Sequence, residues 1–565
     1  MGDTRWLAIL RASVAACFAV LVLTGVTLMT AYAPSPQSAW ASVHYLQYVL
    51  PGGWLVRGAH WWAAQALVLL SASHVAIGAL AGAYRKPRQF SWWLSLLVLA
   101  LSIGEGITGG LLPWDQHGWW ARVVEGNIVG LAPVLGSWLQ QMMAGGTELG
   151  ALGLARAHVM HVVLLPAALG AALWARRSLE RKGVGGATNT SSSRFGALER
   201  EVVAAAGIVI AVSALAWASR GAPLDAPADP TSEYPARPEW FLLTLFALRE
   251  FFHGAGEFWG TSLIPGAAAA YLALLPWIDA PRPNRPNRVL LVAPVVAIFA
   301  GAALLGVFAW RKDAHDKQFI KQHAKAEARA AAAIQLAMVG VPPAGPLEMM
   351  RRDPELRGHD LFEQHCAPCH VLDGLGDPKK ATATKLDGWG TPAWIAEMIH
   401  DPDAPQFFGR GPYKGEMPSV DVRPKDRPAS KPWKPMVKDE ADKKALAEFL
   451  ASQGDEPGDP ARALEDATRA TAERIVQERC STCHLYKGQG DDEGSGLAPE
   501  LSRYGSLAWT RAQIANPATA ETYREGALDE SRKKHMPRFD SDLSAADIDL
   551  VARWTRAHAR AIPVR

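Results

Sequence analysis

The chain has 565 residues, enough for several domains, and its 49% hydrophobic and 20% charged residues are unevenly divided: long apolar runs reach to about Trp310, and charged sequence follows. A net charge of +3 without a basic block argues against a nucleic-acid partner. Of five cysteines, four lie in two Cys-x-x-Cys-His units and Cys17 is alone in an apolar run, which excludes a disulfide framework. Apolar runs long enough to span a bilayer fall near 7–32, 54–83, 91–112, 151–175, 201–218, 258–279 and 289–310. The first lacks a small-residue cleavage site close behind it, so a retained span is expected rather than a cleaved signal. Phe241–Phe252 is too short to cross and contains Arg249 and Glu250; it is expected to dip into the interface. Arg85, Lys86 and Arg88, then Arg176, Arg177, Arg181, Lys182, Arg194 and Arg200, then Arg282, Arg285 and Arg288 fall in loops on one side, the expected cytoplasmic side. Seven spans then place the C-terminal half outside, in the periplasm of a bacterial cytoplasmic membrane.

The second span carries His60 and His74, fourteen residues apart. On a helix both face one way, roughly 21 Å apart at ~1.5 Å per residue. Ionisable groups inside a span are costly and usually functional. Two snorkelling interface histidines are the plain alternative. Gly58, Ala59, Ala63, Ala64, Ser71 and Ala72 leave room beside the rings and favour haem, for which imidazole is an axial ligand.

After Trp310 an alanine- and charge-rich stretch reads as a polar helix leaving the membrane, and VPPAGP breaks it near 345. Two repeat-like units follow, with Cys366-Ala-Pro-Cys369-His370 and Cys480-Ser-Thr-Cys483-His484. This motif attaches haem c through both thiols, and the histidine becomes the proximal ligand. Zinc needs four ligands and commonly two Cys-x-x-Cys pairs in one site, whereas these motifs sit in separate units. Met417-Pro418 and Met536-Pro537 are candidate sixth ligands, with Met436 and Met398 as alternatives in the first unit and His535 in the second. Met-Pro followed by a terminal helix resembles class I cytochrome c.

TGVTLMTAYAPSPQSAWASVHYLQYVLPGGWLVRGAHWW, AYRKPRQFSWW, GGLLPWDQHGWWA and ARAHVMHVVLLP occur in that order and resemble the amino-terminal part of cytochrome b. ADPTSEYPARPEWFLLTLFALR and LLPWIDAPRPNRPNR resemble its carboxy-terminal part, which is subunit IV where it forms a separate chain. The resemblance implies an all-α fold, a seven-helix transmembrane haem-binding bundle followed by two small helical cytochrome c domains. The domains expected are 1–190, the amino-terminal four-helix haem bundle; 191–312, the subunit IV-like three-helix region; 313–345, a linker; and 346–455 and 456–565, the cytochrome c domains. His60 and His161 resemble the axial pair of the outer haem b, and His74 one ligand of the inner haem b. Gly25 and Gly53 resemble positions where helices approach porphyrin faces, with simple helix packing as the alternative. Arg57 and Arg156 would meet haem propionates, or else anchor the interface. Pro238-Glu239-Trp240-Phe241 resembles the PEWY motif of the outer quinol-oxidation site, with Phe for Tyr. Glu239 would accept a quinol proton there, and Pro113-Trp114-Asp115-Gln116 would form another wall.

The resemblance implies the core of a bc-type quinol:cytochrome c oxidoreductase in the membrane lipid, carrying haem b and two covalent haem c groups, with quinol as substrate. A Rieske iron–sulfur protein would be a separate partner, a soluble cytochrome or terminal reductase the acceptor, and a homodimer the assembly. The alternative is a membrane electron conduit that performs no quinol chemistry itself. One feature departs from the family. His161 should be followed by a second histidine fourteen or fifteen residues on, but Ala175 and Arg176 stand there. The inner haem b is therefore expected to be absent, or five-coordinate on His74 with Arg176 near a propionate, and a full Q-cycle loses its usual inner route.

Overall fold

The computed structural model describes residues 4–184, 191–279, 288–411, 413–423, 434–437, 439–454, 464–490, 498–519, 521–523 and 536–563. Arg282, Arg285 and His535 lie outside them. The chain divides into two compact units, Met1–Met349 and Met350–Arg565.

The first unit contains seven helices long and apolar enough to cross a membrane: α1 (Arg5–Met29), α2 (Gly53–Ala81), α3 (Gln89–Leu111), α5 (Ala151–Glu180), α6 (Glu199–Ala218), α7 (Trp259–Ile278) and α8 (Leu290–His315). Between α3 and α5 lies α4 (Gln116–Gly130), and α8 is followed by α9 (Lys317–Val339). Helix α2 is bounded by Gly52 and Gly82, both at positive φ (76° and 73°), a conformation glycine takes without strain. Helices α1, α2, α3 and α5 form the central bundle, and α6 lies against α1 and α2. The short helix Leu243–Arg249 occupies the interfacial stretch and packs on α8. Trp92 and Trp93 of α3 donate indole N–H groups to Leu272 and Ala273 carbonyls of α7 at 2.8 and 2.9 Å. At that end buried Asp279 accepts from Tyr84 and Arg85, so the later helices are tied to the bundle by polar as well as apolar contact.

Helix α9, expected as a linker, folds onto this unit. Its Ala330, Ala333 and Ala337 are buried, and His44 bonds Ile334 O at 3.1 Å. An alanine face permits this close approach. Asp316 caps its N-terminus by accepting from the Gln318 and Phe319 amides.

The second unit is helical: α10 (Pro354–Leu361), α11 (Pro392–His400), α12 (Glu440–Ser452), α13 (Asp466–Ile475), α14 (Leu507–Ala515) and α15 (Ala545–Ala561). A two-stranded hairpin, Leu485–Tyr486 with Gln489–Gly490, is its sheet among the described residues. One continuous apolar core runs from Leu361 through Phe449 and Trp509 to Trp554.

Candidate functional site

Helix α2 presents His60 and α5 presents His161, with ring centroids 6.0 Å apart and ring planes at 70°. Each Nδ1 is held from behind. His60 Nδ1 lies 2.9 Å from Thr24 Oγ1, whose own proton goes to Val20 O at 2.7 Å. His161 Nδ1 lies 2.9 Å from Glu105 Oε2 and 3.2 Å from Glu105 O. Such acceptors keep the proton on Nδ1 and leave both Nε2 lone pairs for a metal, as behind metal-ligating histidines generally. The separation suits one iron between two imidazoles, with metal–nitrogen bonds of about 2 Å. These residues fit haem b.

The end of α3 makes room for the site. A Cβ at Gly109 would sit 2.6 Å from His161 Cε1, at Gly106 2.7 Å from Phe241 Cζ, and at Gly110 2.8 Å from Glu239 Oε1. The run GITGG is thus a shelf on which a histidine, an aromatic ring and a carboxylate rest.

Glu239 reaches the shelf from the loop before the short 3-10 turn Trp240–Leu242. Just before it, Arg237 grips Asp313 of α8 through two bonds of 2.8 and 2.6 Å, with its guanidinium 4.4 Å from the Phe319 ring centre. The PWDQ loop is aligned by backbone pairing: Gln116 N donates to Ala226 O at 2.8 Å and Ala228 N to Trp114 O at 3.1 Å. Asp115 caps α4 by accepting from Gly118 N at 2.8 Å. These constraints set His117 Nε2 3.5 Å from Glu239 Oε1. Burial alone would push the His117 imidazole down. The hydrogen bond and charge of Glu239, with Asp115 and Asp225 beyond, outweigh it and hold the imidazole up at about 9. Burial pushes Glu125 up to about 7 against the pull of Arg122, 3.6 Å away. Tyr234 donates to Asp225 Oδ2 at 2.7 Å, and burial raises both groups above their ordinary ranges.

One cavity of about 570 Å³, mostly apolar, is lined by His60, His161, Glu239, His117, Phe241 and Asp225 among others. Arg57 also borders it, but its guanidinium is committed to Gln47 Oε1 and the Ala222 and Pro223 carbonyls. Arg156 is outside the lining and donates to Met142 O at 3.0 Å. Trp240 and Pro238 flank the lining; the Trp240 indole donates to Gln65. Gly25 faces His60, where a Cβ would be 3.2 Å from Cε1, and Gly53 packs against the Leu46 carbonyl. Sequence reasoning missed Thr24, Glu105 and His117, although His117 directly follows the PWDQ motif. It also missed His323 and Glu327 of α9, which border the cavity. The alanines at 326, 330, 333 and 337 were the available signal, since they mark one face of a helix.

The other end of the bundle differs. His74 is buried outside the cavity, and its Nδ1 has no hydrogen-bond partner. The π-turn Met160–Leu164 adds about one residue to α5, which brings Arg176 rather than Ala175 back onto the His161 face. Arg176 is 4% exposed and donates to Ser95 Oγ at 3.3 Å. The charges acting on His74 are Arg176 and Arg11. Between the two ends Val14, Cys17, Leu67, Val98, Leu169 and Ala172 form a buried apolar core. One imidazole and a guanidinium without an acceptor lone pair do not fit a second bis-histidine haem.

In the second unit His370 Nδ1 donates to Thr384 O and His484 Nδ1 to Pro499 O, both at 2.8 Å. The Thr384 bond leaves His370 Nε2 for a metal, and the Pro499 bond orients the His484 ring in the same way. Cys366, Cys369, Cys480 and Cys483 form no disulfide among the described residues, and burial pushes the Cys366 thiol to about 12 and the Cys480 thiol to about 11. These residues fit covalent haem c. Met417, Met436, Met398 and Met536 all pack against the common core.

The profile described as cytochrome b/b6/petB matches residues 5–175. Cytochrome b6 of Heliobacterium modesticaldum is 38% identical over 151 residues, covering 27% of this chain and 71% of that protein. The chain belongs to the cytochrome b/b6 family. Cytochrome b6 of Synechococcus elongatus is 35% identical over 26% of this chain and 70% of its own length. The cytochrome c profile matches 356–454, and that of subunit III of cbb3-type cytochrome c oxidase matches 467–554. A solved chain of a hyperthermophilic respiratory Complex III is 22% identical, covering 59% of this chain and 90% of that one at a TM-score of 0.47. This is therefore a multi-pass membrane electron-transfer protein with a cytochrome b/b6 domain followed by cytochrome c domains, families whose cofactors are haem b and haem c.

Proposed function

We propose that the cavity beside His60 and His161 is a quinol-oxidation site, and that the chain is the core of a bc-type quinol:cytochrome c oxidoreductase. The observation that carries this is the Glu239 carboxylate, held 3.5 Å from His117 in a mostly apolar cavity shared with the two imidazoles. Haem held by His60 and His161, and by the two Cys-x-x-Cys-His motifs, supplies one-electron carriers. The protein's own groups handle the protons. The apolar walls admit the quinol ring and exclude bulk water. Glu239 takes a hydroxyl proton from the quinol. Neutralising Glu239 removes the charge that holds the His117 proton, so His117 releases one toward Asp115 and Asp225. Phe241, where the related motif has tyrosine, contributes shape and no proton.

A separate Rieske protein as oxidant, a soluble cytochrome or terminal reductase as acceptor, a homodimer, and placement of residues 345–565 on the periplasmic side complete the proposal. Replacing Glu239 by Gln should lower quinol-dependent reduction of the c haems about 100-fold. An unchanged rate would refute the quinol site.

A further inference from the structure

The sequence gives two repeats in the same order: first helix, Cys-x-x-Cys-His, second helix, Met-Pro, last helix. Two self-contained modules would each pair their own first and last helices. The structure pairs them across repeats. Helix α10 of the first repeat lies on α15 of the second, and α13 of the second lies on α12 of the first.

The contacts are specific. A Cβ at Gly358 would fall 2.3 Å from Trp554 Cβ and 3.1 Å from Leu550 O, so α10 and α15 touch where only glycine fits. Arg357 Nε donates to Asp547 Oδ1 at 2.9 Å. His558 stacks on Trp554 and reaches Glu355 at 2.8 Å and Asp373 at 3.0 Å. Gly388 N donates to Ala559 O at 2.8 Å. His365, next to the first haem-attachment cysteine, meets Phe539 of the second repeat at 6.0 Å. The reciprocal crossing buries Ala472 and Val476 with Leu446 and Phe449 in the common core, and Phe449 meets the Tyr486 ring at 5.9 Å. Ala472 occupies the place of Gly358, each twelve residues before its motif histidine. Arg556 joins the ends, donating to Gly454 O at 2.6 Å and Gly505 O at 3.0 Å.

We propose that the two c-type centres of this chain are closed reciprocally. The Cys366–His370 centre depends on helix α15 of the second repeat, the Cys480–His484 centre on helix α12 of the first, and together they form one obligate two-centre unit. Interlocked helices hold both attachment motifs at one fixed separation, which suits a relay between two carriers.

The test uses the full-length, haem-loaded protein carrying Arg357→Cys and Asp547→Cys, with a protease site placed in 455–463. A short bis-maleimide is added at high dilution, the chain is cut, and the pieces are run under denaturing, reducing conditions with haem staining. Reciprocal closure predicts that the two haem-stained pieces migrate as one band. It also predicts that, without the cross-linker, the cut pieces stay together in native buffer and part only in denaturant. Two separate bands after cross-linking, or pieces that part in native buffer, would overturn the proposal. A second variant, Gly358→Leu, should lower the thermal transition of both c-type spectra together; a shift of the His370 spectrum alone would also overturn it.

Discussion

The two ends of the central helices each begin with one histidine on α2, and they diverge on α5. At one end the partner is His161, at the other Arg176. The first pairing brings two imidazoles to 6.0 Å between ring centroids, their Nδ1 atoms backed by Thr24 and Glu105, beside a cavity. The second sets a guanidinium with only donors near an imidazole whose Nδ1 has no partner, beneath a closed apolar core. An unsatisfied buried polar atom costs about 1–3 kcal/mol, and at the His60 end Thr24 and Glu105 remove that cost for both Nδ1 atoms. A bis-histidine site needs its polar surround as well as its two rings.

The largest effects should come from removing one histidine at each end. His161→Ala should abolish the b-type signal in a pyridine haemochrome assay, and His74→Ala should leave one b-type haem for two c-type. A b-type content halved by His74→Ala would mean that a second haem resides there. Next in size, Arg176→His restores an imidazole on the His161 face, and the same assay should show b-type haem rising toward two for two c-type. No rise would show that the closed core excludes the group whatever the ligand.

A smaller effect concerns the proton path at the outer end. His117→Asn should slow quinol-dependent c haem reduction about tenfold, less than removal of Glu239, the direct acceptor. In the native protein, kcat/KM should fall on the alkaline side as His117 loses its proton at about 9, and the variant should lack that limb. The same proton links the His117–Glu239 pair to stability. The pair's contribution is full below the ordinary imidazole range and is lost as pH rises through about 9, which thermal unfolding at several pH values would show. The smallest change is at the inner end. Ser95→Ala removes a hydrogen bond to the buried Arg176 and should cost about 1 kcal/mol in unfolding free energy, with haem content unchanged.

Much of this was legible from residue type and spacing. Seven apolar runs became seven span-length helices, because an apolar stretch of that length has few other ways to satisfy its backbone. His60, His161, Glu239 and the two Cys-x-x-Cys-His motifs were legible as candidates because local sequence alone sets them apart. What was not legible depends on distant approach. His117 gains its role from Glu239, more than a hundred residues away, and α9 returns to the cavity through an alanine face that also suits a solvated linker. The exchange of α12 and α15 could not be read at all, because both pairings bury the same apolar residues.

The glycine shelf on α3 has a consequence for mutational tolerance. Most positions on a lipid-facing helix accept many apolar side chains. At Gly106, Gly109 and Gly110 even a single methyl must displace Phe241, His161 or Glu239. Those displaced groups are the ends of side chains, not backbone, so such variants can still fold and insert. In a random library this stretch would stand out as three neighbouring positions where drift is silent for expression and lethal for turnover.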